Sequence, residues 1–424
     1  MHSTYDFQYF QGNSFSDLFA QDVADARYAL LPNYPATASW AAYPNTKKFF
    51  LQDGSSEATK TPFDKICQKE AWKNLAVLGD AIPGIVIVPP TKALVNYWQE
   101  HFGFSYSNME KIHCSVYLEE LSKSSRFDKL ITLFPFDHLK AEKHAVDPET
   151  HYHLLNKVTL AELGVQCPKY ESYNLHAFSL EDIKLPETFP YLIKTSHGLS
   201  GEGTYIIRST SDLNYCFEEL RKYLDIQLLD TIIVSEFVKN VVQNHCVQFY
   251  INKKGEIAFI GTTTQLVTPE GNYLGGVINY RQIDVSKFSK MIAAIGQYAH
   301  EQGYFGVIGF DVLEDKDGQL YAIDANFRIN GSTPLCLQRL TLLGVGKEVA
   351  KYATDYRITG TLDSILVALK TELDRKDFII LSALEKVKYG EIYTELSGVV
   401  AGETIEEMQY IEKNLQDKGL QLLS

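Results

Sequence analysis

Gly306-Val-Ile-Gly-Phe-Asp311-Val-Leu313 and Leu320-Tyr-Ala-Ile-Asp324-Ala-Asn326-Phe-Arg328 are two apolar runs broken by acids, separated by the turn-forming Asp315-Lys-Asp-Gly318. The pair reads as a β-hairpin whose loop is longer than two residues. Asp311 interrupts a run that otherwise reads as a buried strand, and a buried carboxylate must be paired or coordinated. Period-two alternation sets Asp324, Asn326 and Arg328 on one face. Two carboxylates and an amide oxygen on adjacent strands make an oxygen-rich site suited to Mg2+ held jointly with phosphates. Arg328 on that face can then hold a transferring phosphoryl group or an acyl phosphate. The alternative is an alternating strand with a solvated polar face and an unrelated Asp311.

Upstream, Phe189-Pro-Tyr-Leu-Ile-Lys194-Thr-Ser-His197-Gly198-Leu-Ser200-Gly201-Glu-Gly203-Thr204 reads as a strand ending in a lysine, then a small flexible loop, then a second strand. Glycines let backbone N–H groups approach phosphate oxygens, and Lys194 at the loop base adds a point charge. A plain hairpin with a Gly-rich tip has the same pattern. It is neither a P-loop nor a dinucleotide fingerprint, for no Gly-x-x-x-x-Gly-Lys-Ser/Thr occurs and no helix follows. Asp230-Thr-Ile-Ile-Val-Ser-Glu236-Phe237-Val238 is an apolar strand running into an acid and an aromatic. Such a segment can border an adenine edge; otherwise it is an edge strand with Glu236 in water.

Taken jointly, residues 150–335 resemble the ATP-grasp superfamily in motif order, spacing and chemistry, and within it the carboxylate–amine (peptide or amino-acid) ligases. The resemblance implies that Asn156-Lys157 opens the nucleotide-binding part, with Lys157 and Lys194 on ATP phosphates. It implies that His197, Gly198, Ser200, Gly201, Gly203 and Thr204 belong to a mobile loop over the phosphates. Glu236, Phe237 and Val238 then match the adenine hinge, Asp311, Asp324 and Asn326 the magnesium (or Mn2+) ligands, and Arg328 the substrate or phosphate arginine. Two departures stand out: the second metal acid is Asp324 where Glu is usual, and the ribose-binding acid after the hinge is missing, with Asn244 or His245 as stand-in. Arg281, in Gly275-Gly-Val-Ile-Asn-Tyr-Arg281, falls where family members bring a strand past the acceptor. It holds a substrate carboxylate or is a surface cation. Asn330-Gly331-Ser-Thr333 offers an N–H cradle for the acyl group or a turn into the next helix.

Length and composition agree with this reading. A chain of 424 residues with 45% hydrophobic and 22% charged residues implies two to three domains with their own cores. Net charge is −13 and no basic run stands out, which speaks against nucleic-acid or anionic-membrane partners. No run of ~18 apolar residues marks a membrane helix, and the start from Met1 to Phe10 lacks a basic region followed by an apolar core. The six cysteines (Cys67, Cys114, Cys167, Cys216, Cys246, Cys336) form no Cys-x-x-Cys pair; they read as thiols in a reducing, cytoplasmic compartment.

The expected architecture is multidomain α/β and α+β: a parallel α/β domain over 1–146, an ATP-grasp core over 147–350 and an α+β appendage over 351–424. In the first, Asn74–Leu78, Ile85–Val88, His113–Tyr117 and Lys129–Phe134 are expected strands and Thr91–His101 a helix. Residues 1–60 are least informative, with a loop at 53–57. Trp40, Trp72, Trp98, Phe134 and Phe136 either line an acceptor pocket or fill the core. Asp147 and Pro148 open a helix running to Lys157; Arg339 is a solvated cation on a packing helix. Strands over 377–384 and 392–401 and a helix capped by Thr404 make up the appendage, which completes the acceptor side or forms a homodimer contact.

The chemistry implied by the resemblance is γ-phosphoryl transfer from ATP to a carboxylate, then displacement of phosphate by an amine, giving an amide, ADP and phosphate. The partners are small-molecule carboxylate and amine substrates, an amino acid or peptide first among them. The competing readings are a biotin-carboxylase-like enzyme and a non-catalytic ATP-binding protein of the same fold.

Overall fold

The structure, a computed structural model, describes residues 7–34, 62–112, 117–198, 201, 203–225, 231–282 and 284–423. Trp40, Ser200, the loop at 53–57 and residues 113–116 of an expected strand lie outside the described residues.

Near the N-terminus, β1 (Tyr28–Leu31), β2 (Gly84–Val86), β3 (Met109–Lys111) and β4 (Lys129–Thr132) form a parallel sheet in the order β3-β2-β1-β4. The expected parallel sheet is present, with β1 at its centre from the least legible part of the sequence. Asn74–Leu78 is not a strand: the helix Pro62–Ala76 ends there. Leu75, Ala76, Val77 and Leu78 are all buried, and an apolar run that short fits a buried helix end as well as a strand. The helix Lys92–Phe102 opens on Thr91, whose hydroxyl accepts from the Leu94 N–H, and closes on Gly103 at φ 79°, a left-handed position that glycine takes without strain. Its Trp98 is fully buried and donates to the Ile380 carbonyl, tying this sheet to the C-terminal strands. Trp72, donating to the Val88 carbonyl, and Phe136 are buried core residues too.

Next, Asp147 caps the helix Pro148–Leu154, its carboxylate accepting from the Glu149 and Thr150 N–H groups. The helix stops short of Lys157 because Asn156 starts a new element, accepting from the Val158 N–H to open a 3-10 helix over Lys157–Leu163. A second sheet follows: β5 (Tyr170–Asn174), β6 (Tyr191–Thr195), β7 (Thr204–Ile207) and β8 (Thr231–Glu236), antiparallel in the order β5-β8-β6-β7. The strand β8 is interior, which overturns its reading as an edge strand. Tyr173, Ile193, Leu220 and Ile232 give this sheet its own core.

The largest sheet comprises β9 (Val241–Ile251), β10 (Ile257–Val267), β11 (Tyr273–Asn279), β12 (Gly306–Asp315), β13 (Leu320–Asn326), β14 (Val349–Thr359), β15 (Phe378–Lys388) and β16 (Glu391–Gly402), with the short β17 (Gln421–Leu422) paired to β14 off the main path. Its order is β13-β12-β9-β10-β11-β14-β16-β15. The C-terminal strands therefore continue the sheet of the central part: β11 pairs with β14 from Gly275↔Ala353 to Asn279↔Val349. A Cβ on Gly275 would lie 2.0 Å from the Tyr352 carbonyl, so only glycine permits that approach. The helix Ser289–Glu301 covers one face, its Ile292 and Ile295 packing with Phe249 and Phe310. Among the described residues, no helix is long and apolar enough to cross a membrane.

Candidate active site

The hairpin of β12 and β13 turns at Asp315–Gly318, where Gly318 sits at φ 78° and donates to the Asp315 carbonyl. Its register runs Gly309↔Asn326, Phe310↔Ala325, Asp311↔Asp324, then shifts to Val312↔Ala322. Ile323 is the extra residue of a β-bulge, a device that re-aims side chains beside functional sites. Its effect here is twofold. Asp311 and Asp324 stand directly opposite each other, and the Ile323 carbonyl accepts from Lys194 Nζ at 3.2 Å.

Three cations converge on this point. Lys157, at the start of the 3-10 helix, bonds Asp324 Oδ2 at 2.7 Å. Lys194 arrives from the end of β6. Arg328 donates from Nη2 to Asn326 Oδ1 at 2.7 Å and from Nη1 to the Ile329 carbonyl at 3.1 Å, and its guanidinium carbon lies 5.4 Å from the centre of the Phe134 ring. Burial, then the charge of Asp324, raises the Asp311 carboxyl above the usual carboxylate range. Burial also opposes ionisation of Asp324, but Lys157 beside it, with Lys194 and Arg328, holds that carboxyl below the usual range. Burial and the neighbouring Lys157 push Lys194 down to about 8. Two carboxylates pressed together, one of them driven toward its neutral form, with an amide oxygen alongside, are a hard-oxygen donor set that a divalent cation such as Mg2+ fits. Among the described residues, no group of three or more His, Cys, Asp or Glu gathers as a metal site, so such a cation would depend on Asn326 and phosphate oxygens as well.

The loop between β6 and β7 leaves the sheet after the pair Lys194↔Thr204. Its root is pinned: the Thr195 hydroxyl donates to the His197 carbonyl at 2.6 Å, the Thr195 N–H to the Gly203 carbonyl at 2.8 Å, and the His197 ring stacks on Tyr152 at 4.4 Å and 7°. Burial lowers the His197 imidazole to about 3, keeping it neutral. Gly201 and Gly203 take φ 93° and 72°. Beside this loop, Lys157, Leu160, Tyr170, Lys194, Ile233 and Ser235 line a cleft between the 3-10 helix and the second sheet. Glu236 ends β8 at that cleft's edge, its N–H bonded to the Lys169 carbonyl, with Phe237 and Val238 half-buried after it.

Two expected site residues are elsewhere. His245 faces away: Cys246 is the residue paired with Asp311, so alternation turns His245 to the opposite face. There it lies 3.0 Å from Glu314 and edge-on to Phe288; Asn244 keeps the Asp311 side. Arg281 follows β11, three strands or about 14 Å from β12, and pairs at the surface with Glu348. Asn330–Thr333 resolves as a turn into the helix Thr333–Leu337, the Asn330 N–H donating to the Thr333 hydroxyl. Arg339 is not simply solvated, for its guanidinium lies 4.6 Å from the Tyr9 ring centre. Tyr152 and Cys246 are neighbours of the site that no local sequence pattern marks.

Comparison with known proteins bears on the fold. A family model described as L-aspartate–L-methionine ligase, ATP grasp, matches residues 168–326. Solved structures agree over nearly the whole chain: an ADP complex of N5-carboxyaminoimidazole ribonucleotide synthetase at TM-score 0.54 and 15% identity, over 82% of this chain and 94% of that one. The biotin carboxylase of Campylobacter jejuni gives TM-score 0.54 at 12% identity over 93% of each. The chain has the ATP-grasp fold. Among curated relatives, this chain is 24% identical over 274 residues to the [butirosin acyl-carrier protein]–L-glutamate ligase of Niallia circulans, covering 59% of this chain and 62% of the relative. It is 27% identical over 176 residues to a formate-dependent phosphoribosylglycinamide formyltransferase of Methanocella arvoryzae, covering 38% of this chain and 39% of the relative. The chain thus spans 39% to 62% of the length of these relatives.

Proposed function

We propose that the protein is an ATP-dependent carboxylate–amine ligase acting on amino acids or small peptides. The observation that carries the reading is the facing pair Asp311 and Asp324, with Asn326, Arg328, Lys157 and Lys194 around it on three separate elements. A nucleotide-binding protein without turnover needs no group to meet a transferring phosphoryl, the part for which Arg328 is suited. In this reading Lys157 and Lys194 receive ATP phosphates, and the loop from His197 to Thr204 closes over them. Glu236, Phe237 and Val238 border the adenine. Asp311, Asp324 and Asn326 would hold Mg2+, which when bound neutralises phosphate charge and aligns the γ-phosphoryl group. For Lys157 this requires an exchange of partners, from Asp324 to phosphate.

Arg328 has its fork fixed by Asn326 and Ile329, so it meets charge on the transferring phosphoryl group without reorganising. The carboxylate substrate attacks the γ-phosphorus, forming a C–O–P linkage as the bond to ADP breaks. The amine then attacks the acyl carbon, phosphate leaves, and the amine loses its proton. The neutral, buried His197 stacks on Tyr152 and holds the loop root in place.

For substrates, the matched family model names aspartate and methionine, and the Niallia relative takes glutamate; L-aspartate with L-methionine is the first pair to supply. The test is ADP release from Mg-ATP with that pair and then with pooled amino acids, with mass spectrometry of products. ADP together with a new amide mass supports the reading. AMP in place of ADP overturns the acyl-phosphate route, and ADP release that needs bicarbonate instead of an amine points to carboxylase chemistry. Sedimentation of the same sample tests for a homodimer.

A further inference from the structure

We propose that Phe134 is a positioning residue, contributed by the N-terminal sheet, that fixes the Arg328 guanidinium for the anionic group being transferred; this rests on the ligase reading above. Trp72, Trp98, Phe134 and Phe136 are all buried in the core, but Phe134 also faces a cation. It stands just past the C-terminal end of β4, the end at which parallel sheets present binding groups. Its ring centre lies 5.4 Å from the Arg328 guanidinium carbon, with Phe134 at 2% and Arg328 at 8% exposure. Both line one small cavity together with Lys157, His197, Asp324 and Asn326.

The geometry divides the work around Arg328. One N–H goes to Asn326 Oδ1 and one to the Ile329 carbonyl, which sets the fork's direction in its plane. Phe134 stands within cation–π range, close enough to restrain the guanidinium out of that plane. The remaining donors of the fork serve the cavity. A leucine would fill most of the same space and keep an apolar packing partner, but it has no negative face to attract a cation. With water kept away, the attraction lies at the stronger end of its range. The N-terminal sheet therefore acts on the phosphate chemistry through one ring, and the Tyr34 ring 5.9 Å behind it supports that ring in turn.

The experiment uses the full chain and inorganic phosphate as probe, titrated calorimetrically with and without saturating Mg-ADP. The variants are Phe134→Leu, Phe134→Tyr, Arg328→Gln and the double variant Phe134→Leu/Arg328→Gln. Phe134→Leu is expected to weaken phosphate binding about 3- to 30-fold, leaving Mg-ADP affinity and Tm close to wild type, while Phe134→Tyr stays within about 3-fold of wild type. In the Arg328→Gln background the leucine substitution is expected to add little, because the cation it acts through is gone. Equal phosphate affinity in Phe134→Leu and wild type overturns the proposal, as does the same loss with Arg328 already replaced, or no phosphate binding by wild type. Failure of wild type to bind Mg-ADP sinks the ligase reading instead, and the titration without nucleotide still decides the role of Phe134.

Discussion

Lys157 Nζ and Asp324 Oδ2 lie 2.7 Å apart across 167 residues of sequence, so a proposed phosphate lysine and a proposed metal ligand neutralise each other. Entry of a metal–nucleotide complex must separate them, giving the cation to phosphate and the carboxylate to the metal. Asp324→Asn frees Lys157 and removes one metal charge. Turnover is expected to fall on the order of 10²- to 10³-fold, while ADP without metal binds as well as, or better than, to wild type. Calorimetry with ADP in the presence of a chelator, set beside the ADP-release assay, reads both. Near-normal turnover in the variant would remove Asp324 from the metal site.

Lys194 gives the nucleotide site a pH dependence. Burial and Lys157 lower its ammonium to about 8 in the free protein, so near that pH about half the molecules carry it neutral. Polyphosphate restores the charge, so binding takes up a proton, and affinity falls by up to about tenfold per pH unit above 8. Fold stability moves the other way. A lysine with a lowered folded pKa destabilises the fold fully below about 8 and ceases to as pH rises toward its ordinary value. ADP titrations from pH 7 to 9.5 in buffers of different ionisation enthalpy are expected to show this uptake, and Lys194→Met to abolish it. An unchanged affinity across that range would mean that Lys194 does not meet phosphate.

The legible part of this molecule is the part where chemistry interrupts a pattern. Asp311 and Asp324 broke apolar runs, Lys194 ended one and glycines followed it, so the hairpins β12–β13 and β6–β7 could be placed from local sequence. What failed depended on pairing between distant segments. Whether His245 faces the site is decided by Cys246 lying opposite Asp311, a register no local signal contains. Arg281 is distant because β10 and β9 lie between β11 and β12. The bulge at Ile323, which sets Asp324 against Asp311, is invisible in Tyr-Ala-Ile-Asp. Asn74–Leu78 was misread because buried helix ends and buried strands share one composition. Phe134 could not be told from Trp98, since both are aromatic and buried and only the tertiary fold gives one of them a cation.

Acid should destabilise this fold early. Burial lowers His144 to about 4 and His101, His151 and His197 to about 3, against an ordinary value of about 6.5. Between those limits the unfolded chain takes up protons that the folded chain refuses, so stability falls as pH drops from about 6.5 toward 4. Asp311 opposes the trend, because its raised carboxyl binds a proton more readily in the fold. With one histidine offset in this way, these groups together contribute at most about 4 kcal/mol per pH unit to the slope. Urea midpoints at pH 7.5, 6 and 5 are expected to fall steadily; a flat profile would show that these imidazoles are protonated in the native state.

Two glycines at left-handed positions separate loop strain from loop function. Gly203 at φ 72° would place an added Cβ 2.1 Å from the Thr195 hydroxyl, whereas Gly318 at φ 78° has nothing within 4 Å of that point. Backbone strain is therefore alike in Gly203→Ala and Gly318→Ala, about 1 kcal/mol each. Only the first displaces a neighbour. Thr195 cannot yield without cost, since its hydroxyl holds the His197 carbonyl and its N–H the Gly203 carbonyl. Moving Thr195 moves Lys194 beside it, and a shift of an ångström in a phosphate-positioning cation is worth up to about 10²-fold in rate. Gly203→Ala is expected to lose at least about tenfold in kcat/KM for ATP with the larger drop in Tm, and Gly318→Ala to keep kcat/KM with a small one. Equal kcat/KM in both variants would show that the loop between β6 and β7 does not set the position of Lys194.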